Sequence, residues 1–156
     1  MPKEKNIVAL AKSFAAIHKT CFGNPGTKFS SSFILSLIEN PNVKFIEQEQ
    51  KGFCLARLSN GEAEIITMAI KPEFQQKGIG YSILIKTIQL LKKTRCETIF
   101  LEVASDNVAG IKLYSKAGFN KCGIRKNYYQ ISNGKKADAI IMKKILVNEL
   151  LPIISE

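Results

Sequence analysis

Apolar residues recur at intervals of three and four positions in four stretches of the chain, and each stretch predicts an amphipathic helix. The first covers about residues 6–21. The second follows a run of serines able to cap a helix and ends before Asn40-Pro41. The third covers residues 79–93, and the fourth covers residues 107–116 because Ala117-Gly118 ends it. The inward face of the third helix is predicted to consist of Ile83, Leu84, Thr87, Ile88 and Leu91.

Three segments between the second and third helices have the pattern of β-strands: residues 43–47, 53–58 and 62–70. They are joined by Gln50-Lys51-Gly52 and Ser59-Asn60-Gly61, which are residues that tight hairpin turns need. We therefore expect an antiparallel meander.

Two further strand regions follow. Residues 98–103 are almost continuously apolar, which is typical of a strand in the middle of a covered sheet. A long strand that begins with residues 119–124, a turn at Asn133-Gly134 and a strand over residues 137–145 predict a final hairpin. The order of elements predicts a mixed α/β sheet in one domain over residues 1–156, with residues 146–156 as a C-terminal tail.

The connection between the third strand and the third helix consists of Gln75-Gln76-Lys77-Gly78-Ile79-Gly80. Two glycines at a strand-to-helix junction leave backbone N–H groups free to converge on an anion, and the helix N-terminus adds partial positive charge. A P-loop is excluded because Tyr81-Ser82 follows the glycines, and a dinucleotide fingerprint is excluded because Ile83 replaces its third glycine. The connection predicts a phosphate site of another kind; a glycine-rich turn used only for packing is the alternative.

Composition narrows the setting of the protein. The four cysteines are widely spaced without a Cys-x-x-Cys pair, which indicates neither a metal site nor a disulfide framework and favours a reduced, cytoplasmic protein. His18 is the only histidine, so few catalytic pairs are available. The charged N-terminus is unlike a secretion signal, and no apolar run reaches membrane-spanning length, so we expect no membrane partner.

The charge balance points to a polyanionic partner. There are 23 basic and 13 acidic side chains, giving a net charge of +10. A phosphorylated cofactor or a nucleoprotein particle fits this charge, although a basic surface can also serve solubility alone. The basic residues cluster without regularly interleaved aromatic residues, so we expect no direct nucleic-acid recognition.

Glu102 is the candidate for chemistry that stands out in the strand pattern. It is the only charge in Ile99-Phe100-Leu101-Glu102-Val103-Ala104, and a buried carboxylate is costly unless it is paired or used. Such a group is suited to act as a general base. The alternative is an edge position that faces water.

Two motifs resemble the GCN5-related N-acetyltransferase (GNAT) family. One is the loop from Gln75 to Gly80 preceded by Ile70-Lys71-Pro72, and the other is Phe100-Leu101-Glu102-Val103 followed by Asn107 and by Leu113-Tyr114-Ala117-Gly118-Phe119. The resemblance implies a mixed, mostly antiparallel sheet with a splayed central strand pair flanked by helices. It also implies an acetyl-CoA-dependent acyltransferase that uses no metal.

The resemblance assigns roles to particular residues. Glu102 would be the base that accepts a proton from the attacking amine, and Tyr114 would be the acid that protonates the departing CoA sulfur. From periodicity alone, Tyr114 is equally well explained as a packing residue. The residues that would bind acetyl-CoA are Met68, Ala69 and Ile70 on the strand, Gln75, Gln76, Lys77, Gly78, Ile79, Gly80 and Tyr81 at the loop, and Asn107.

The C-terminal hairpin resembles a narrower group, the bacterial ribosomal-protein-alanine N-acetyltransferases. The resemblance lies in Arg125-Lys126-Asn127-Tyr128-Tyr129 and in Ala137-Asp138-Ala139-Ile140-Ile141-Met142, whereas the first sixty residues match only in layout. It implies that the acceptor is a protein N-terminus, here of a small-subunit ribosomal protein. Arg125, Tyr128 and Tyr129 would wall the peptide groove, although ordinary strand packing explains the two tyrosines as well.

Three other functions stay open at this point. An enzyme of the same fold could acetylate a lysine or a small amine, although a polyamine would want an acidic pocket that a chain of charge +10 supplies poorly. A module could also hold CoA without turnover, or a basic protein could dock on RNA or ribosomes.

Overall fold

The computed structural model describes residues 6–23, 29–130 and 132–146. Gly23-Asn24-Pro25-Gly26 is predicted to end the first helix, and all of it except Gly23 lies outside the described residues, as does the predicted tail beyond Leu146. The four helices are α1 (Ile7–Phe22), α2 (Ser31–Glu39), α3 (Ile79–Lys92) and α4 (Val108–Lys116). The six strands are β1 (Val43–Gln48), β2 (Gly52–Ser59), β3 (Glu62–Ile70), β4 (Thr98–Ala104), β5 (Asn120–Gln130) and β6 (Lys136–Ile145).

Helices α1 and α2 begin where the sequence supplies side-chain caps. The Asn6 side chain accepts a hydrogen bond from the Ala9 N–H at 3.2 Å, and the Ser30 hydroxyl accepts one from the Phe33 N–H at 3.2 Å. The buried face of α3 consists of the five residues predicted from periodicity. Helix α4 begins one residue later than predicted, because Asn107 is its N-cap.

The sheet has the strand order β1-β2-β3-β4-β6-β5. Strands β1, β2 and β3 form the predicted antiparallel meander, and β5 and β6 form the predicted hairpin. Strand β4 is parallel to β3 and antiparallel to β6. Strand β6 therefore lies between β4 and β5, and the predicted mixed, mostly antiparallel sheet is confirmed.

The central pair β3 and β4 separates along its length. The two strands pair only where Glu62, Ala63 and Glu64 meet Thr98, Ile99 and Phe100. A β-bulge begins just beyond this point, because Thr67 pairs with Leu55 and Ile65 pairs with Ala56, which leaves Ile66 without a partner on β2. The second half of β3 therefore has β2 on one side and an open gap towards β4 on the other, which is the splayed pair that the resemblance implied.

Helices cover the two faces of the sheet. On one face, α1 and α2 pack on the meander, with the ring of Phe14 stacked on that of Phe53 at 4.2 Å between centroids. On the other face, α3 and residues of α4 pack in a second cluster around Ile99, Leu101 and Val103. Helices α1, α2 and α3 each bury apolar residues at the spacing of an amphipathic helix.

Within the described residues, no helix is both long and apolar enough to cross a membrane.

Candidate active site

The loop before α3 has the backbone geometry of an anion cradle. Gly78 is the N-cap residue in the left-handed region (φ 82°), and no side chain of the described residues caps the helix at this end. The first helical hydrogen bond runs from the Ser82 N–H to the Gly78 carbonyl at 3.0 Å. Among the described residues, the N–H groups from Gln76 to Tyr81 have no hydrogen-bond acceptor. Successive free N–H groups next to the positive end of a helix dipole are the groups that bind a phosphate.

Two features of this loop suit an anionic ligand. A Cβ added at Gly80 would be in ordinary contact with Leu113 and Ile70, at 3.4 and 3.5 Å, so packing within the protein does not require glycine here. Positive charge surrounds the loop, since the Lys116 ammonium lies 4.4 Å from the centroid of the Tyr81 ring and the Lys77 ammonium 5.9 Å from that of Phe74.

Gln75 fixes the loop to the end of β3. Its Nε2 donates to the Ile70 carbonyl at 2.8 Å, and the Cys21 thiol from α1 donates to the same oxygen at 2.9 Å. The loop, β3 and α1 are thus joined at Ile70. Met68 and Ala69 precede this point on the part of β3 that faces the gap, so the three predicted strand residues and the loop form one continuous edge.

Glu102 is not enclosed by apolar side chains, although it is the only charge in an otherwise apolar strand. Burial alternates along β4: Ile99, Leu101 and Val103 face the core with α3, whereas Glu102 lies on the opposite face with its side chain 21% exposed. There the Arg125 Nε lies 3.1 Å from its Oε1. Strand β4 is therefore closely covered on one face only, and Glu102 is a paired, half-buried carboxylate.

Glu102 faces a cavity of about 310 Å³. Glu62 and Glu64 on β3 share this face with Phe100 and Glu102, because the register aligns Glu64 with Phe100. The cavity is lined by Arg57, Ser59, Glu62, Ala63, Glu64, Phe100, Leu101, Glu102, Arg125 and Ile141. The net charge of +10 had argued against an acidic pocket, but three glutamates line this cavity. Two arginines in the same lining offset part of their charge.

Tyr114 lies on the face of the sheet that α3 covers, opposite the face that carries Glu102. It packs partly buried beside the α3 core, with its ring 6.1 Å from that of Phe119 in an edge-to-face arrangement. Burial raises the pKa of the Tyr114 hydroxyl well above its usual range, and the Cys54 thiol and the Tyr129 hydroxyl raise it further. Tyr114 is therefore a protonated donor at neutral pH.

Tyr129 connects the two candidate catalytic residues. Burial raises the pKa of Tyr129 to about 12, and the negative charge of Glu102 acts in the same direction. Tyr129 therefore lies close enough to both Glu102 and Tyr114 to interact electrostatically with each. Its ring contacts Tyr128 edge to face at 5.2 Å, and the Arg125 guanidinium lies 5.2 Å from the centroid of the Tyr128 ring.

A bulge in β5, which the sequence analysis missed, places these hairpin residues. Arg125 pairs with Ala139 and Tyr129 with Ala137, so three residues of β5 oppose Asp138 alone. The Asp138 carboxylate accepts a hydrogen bond from the Asn127 N–H at 2.9 Å and one from the Lys126 ammonium at 3.2 Å. These bonds hold the pKa of Asp138 below its usual value. The asparagine at position 127 is the sequence signal that could have indicated the bulge, because asparagine tolerates the left-handed φ of 53° that this position adopts.

Asn107 also has a local structural role. Its carboxamide oxygen accepts a hydrogen bond from the Gly110 N–H at 2.9 Å and so caps α4. Its amide nitrogen has no hydrogen-bond acceptor among the described residues. The side chain is thus held in place with a donor still available, which is compatible with the predicted contact to the cofactor.

The remaining chemically active side chains lie apart from this site or are structural. His18 is packed between the rings of Phe22 and Phe29, at 4.6 and 4.3 Å between centroids, and burial lowers its pKa. Cys54 is fully buried, and burial raises the pKa of its thiol to about 12. No group of three or more metal-ligating side chains occurs in the part of the chain that the structure describes.

The site thus combines an anion cradle, a gap in the sheet that leads from it, a protonated tyrosine and a carboxylate at the edge of a charged cavity. A family model, described as "Acetyltransferase (GNAT) family", matches residues 17–119. The chain therefore belongs to the GNAT family and is an acetyl-CoA-dependent N-acetyltransferase.

Its relatives define a narrower group. The chain is 33% identical over 143 residues to the [ribosomal protein bS18]-alanine N-acetyltransferase of Salmonella typhimurium, covering 91% of this chain and 88% of that protein. It is 32% identical over 142 residues to the protein of the same name from Escherichia coli K12, with the same coverage. The crystal structure of the ribosomal-protein-S18-alanine N-acetyltransferase from Escherichia coli superposes with a TM-score of 0.77 at 28% identity, covering 91% of this chain and 92% of that one.

Proposed function

We propose that this enzyme acetylates the N-terminal α-amine of a protein, and that its acceptor is the N-terminal alanine of the small-subunit ribosomal protein bS18. The observation that carries the proposal is the similarity, over nine-tenths of the chain, to enzymes named for this reaction. The open cavity beside Glu102 supports it, because a chain end can enter from the solvent side of β4.

Acetyl-CoA supplies a thioester that an amine can attack. The free N–H groups from Gln76 to Tyr81 would hold its pyrophosphate, with Gln75 fixing the loop, and the edge formed by Met68, Ala69 and Ile70 would hold its pantetheine arm. The free amide of Asn107 would add a donor from α4. These residues bind and orient the cofactor; they do not take part in proton transfer.

Glu102 would accept the proton of the attacking amine, directly or through a water molecule. An α-amine with a pKa of about 7.7–8.0 is roughly one-quarter neutral at pH 7.4, whereas a lysine with a pKa of about 10.4 is only about 0.1% neutral. A carboxylate base therefore suits an α-amine better than a lysine. Tyr114, whose raised pKa keeps it protonated, would donate a hydrogen bond to the leaving sulfur and then its proton.

The proposal is tested by the release of CoA thiol with three peptides. One carries the bS18 N-terminus beginning with alanine, the second is the same peptide with a blocked α-amine, and the third is an N-blocked peptide that contains lysine. We expect turnover only with the free alanine terminus, and a loss of at least about 100-fold in kcat for Glu102→Gln with unchanged acetyl-CoA binding. Turnover with the blocked lysine peptide, or full activity of Glu102→Gln, would contradict the proposal.

A further inference from the structure

Arg125 is the ion-pair partner of Glu102, and this contact suggests that Arg125 controls when the Glu102 carboxylate can act as a base. We propose that Arg125 is a positioning residue that covers the Glu102 carboxylate while no acceptor is bound and releases it to the acceptor's ammonium group. In this way the base activates water less often for wasteful hydrolysis of acetyl-CoA before the acceptor arrives. The inference rests on the proposed role of Glu102 as the base.

The register of the sheet shows how Arg125 reaches Glu102 from two strands away. Glu102 pairs with Ile141 on β6, and Ile141 pairs with Gly123 on β5. Gly123 has no side chain, and a Cβ there would already lie 3.3 Å from the Ile141 Cδ1. The missing side chain at Gly123 therefore leaves room for Ile141 to lean towards β5. The long side chain of Arg125 starts opposite the small Ala139 and crosses β6 to Glu102.

The contact between the two groups is close but exchangeable. Nε and Oε1 are 3.1 Å apart without the alignment of a hydrogen bond, and the two side chains are 52% and 21% exposed. We call the state in which Arg125 covers Glu102 the closed form. An ion pair this exposed favours the closed form by a factor of only roughly two to five. The Tyr128 ring lies under the guanidinium at 5.2 Å, so Arg125 keeps a favourable contact after it leaves Glu102.

The charges favour exchange by an amine in particular. Near neutral pH most α-amines are ammonium groups with the same charge as the guanidinium. When the ammonium replaces Arg125, the half-buried carboxylate is never left without a cation, which would be costly. A neutral molecule such as water cannot make this exchange. Arg125 therefore selects for a cationic acceptor.

The uncovered base would catalyse a defined side reaction. The oxygen of water would attack the thioester carbonyl, Glu102 would take the water proton, and the carbon–sulfur bond would break to give acetate and CoA thiol. If Arg125 suppresses this reaction by covering Glu102, its removal must raise hydrolysis. A residue with a purely structural role would not have this effect, because structural damage lowers activity.

The test compares Arg125→Met and Arg125→Lys with the wild-type enzyme and with Lys121→Met, which removes one charge from the same strand outside the cavity. CoA-thiol release is measured without acceptor, and calorimetry measures binding of the alanine peptide to the CoA-saturated protein. In Arg125→Met we expect acceptor-independent hydrolysis and peptide affinity each to rise roughly three- to sixfold, since the closed form is lost. Arg125→Lys should restore both towards wild type, and Lys121→Met should change neither by more than about twofold.

Glu102→Gln provides the matched background. There, adding Arg125→Met should change peptide affinity less than about twofold, because no carboxylate remains to be covered. Lower peptide affinity or unchanged hydrolysis in Arg125→Met, with the thermal unfolding midpoint retained, would overturn the inference. If Glu102→Gln itself keeps full turnover, it is the proposed function of Glu102 that fails, so the two failures are distinguishable.

Discussion

Two glycines at the start of α3 differ in whether the backbone conformation requires glycine: it does at Gly78 and does not at Gly80. Gly78 has a left-handed φ of 82°, and an added Cβ would meet no atom of the described residues within 4 Å. Alanine there strains the backbone by about 1–2 kcal/mol without any clash. Gly80 lies in the first turn of α3 without a left-handed φ, and an added Cβ makes ordinary contacts. Alanine there should stabilise the helix by up to about 1 kcal/mol.

Stability and cofactor binding should therefore respond oppositely at Gly80. For a chain of this length, 1 kcal/mol corresponds to about 2–4 °C in Tm. We expect Gly78→Ala to lower Tm by roughly 2–8 °C and Gly80→Ala to leave it unchanged or raise it by up to about 4 °C. Yet Gly80→Ala should weaken acetyl-CoA binding by roughly tenfold or more, because the methyl group occupies space that the pyrophosphate needs.

Gly61, in the turn between β2 and β3, provides a matched control. It has a φ of 80° and no atom within 4 Å of an added Cβ, as at Gly78, but it lies in a different turn. Gly61→Ala should lower Tm as Gly78→Ala does and leave acetyl-CoA affinity unchanged. Calorimetric titration with acetyl-CoA and thermal unfolding measure both quantities for all three variants. Wild-type affinity in Gly80→Ala would refute the assignment of the loop as the phosphate cradle.

Three further predictions concern the hairpin and the buried tyrosine. Asp138→Ala removes the carboxylate that holds the β5 bulge and should raise the acceptor KM while the acetyl-CoA KM stays unchanged. Asn127→Gly keeps the left-handed φ and should retain wild-type kinetics. Equal defects in both variants would contradict the role of the bulge. Replacing Tyr128 and Tyr129 by alanine should raise the peptide KM with acetyl-CoA binding unchanged, and a loss of stability alone would disprove their place in the acceptor groove. Because the pKa of Tyr114 is raised in the folded state, its contribution to stability is complete below about pH 10 and is lost as the pH rises further. The free energy of unfolding, measured with urea, should therefore fall less between pH 9 and about 12 in Tyr114→Phe than in wild type. An equal fall in both proteins would contradict this.

Local patterns predicted the elements well because helix faces and turns depend on neighbouring residues. The inner face of α3 follows from a spacing of three and four, and the end of α4 follows from Ala117-Gly118. Where a bound was predicted, it differs from the observed one by a single residue at most, and the long strand predicted to begin at residues 119–124 extends to Gln130 in β5. The family resemblance added what periodicity could not, namely the splay between β3 and β4.

The surroundings of Glu102 could not be predicted from its own strand. The alternation along β4 gives two faces, but it does not show which one the helices cover. The partner that decides its chemistry, Arg125, comes from β5 and reaches it only because β6 lies between β4 and β5. Pairing between distant segments leaves no local signature, so the ion pair and the charged cavity appear only in the folded protein.

The bulge in β5 was missed for a related reason. Asp138 looks like an ordinary polar residue on a strand, and its role depends on Asn127 adopting a left-handed conformation directly across the hairpin. Bulges reorient side chains at the edges of sheets, and this one positions Arg125 and Tyr129 beside Glu102. The roles of these residues in catalysis stay predictions.

The most direct test of the proposed function uses one peptide that offers both kinds of amine. It begins with the free alanine of bS18 and contains an internal lysine, and fragment masses after reaction with acetyl-CoA locate the acetyl group. We predict that the acetyl group is on the α-amine of the alanine, and that Glu102→Gln gives no product over the same time. Acetylation of the lysine side chain with the α-amine left free would contradict the account.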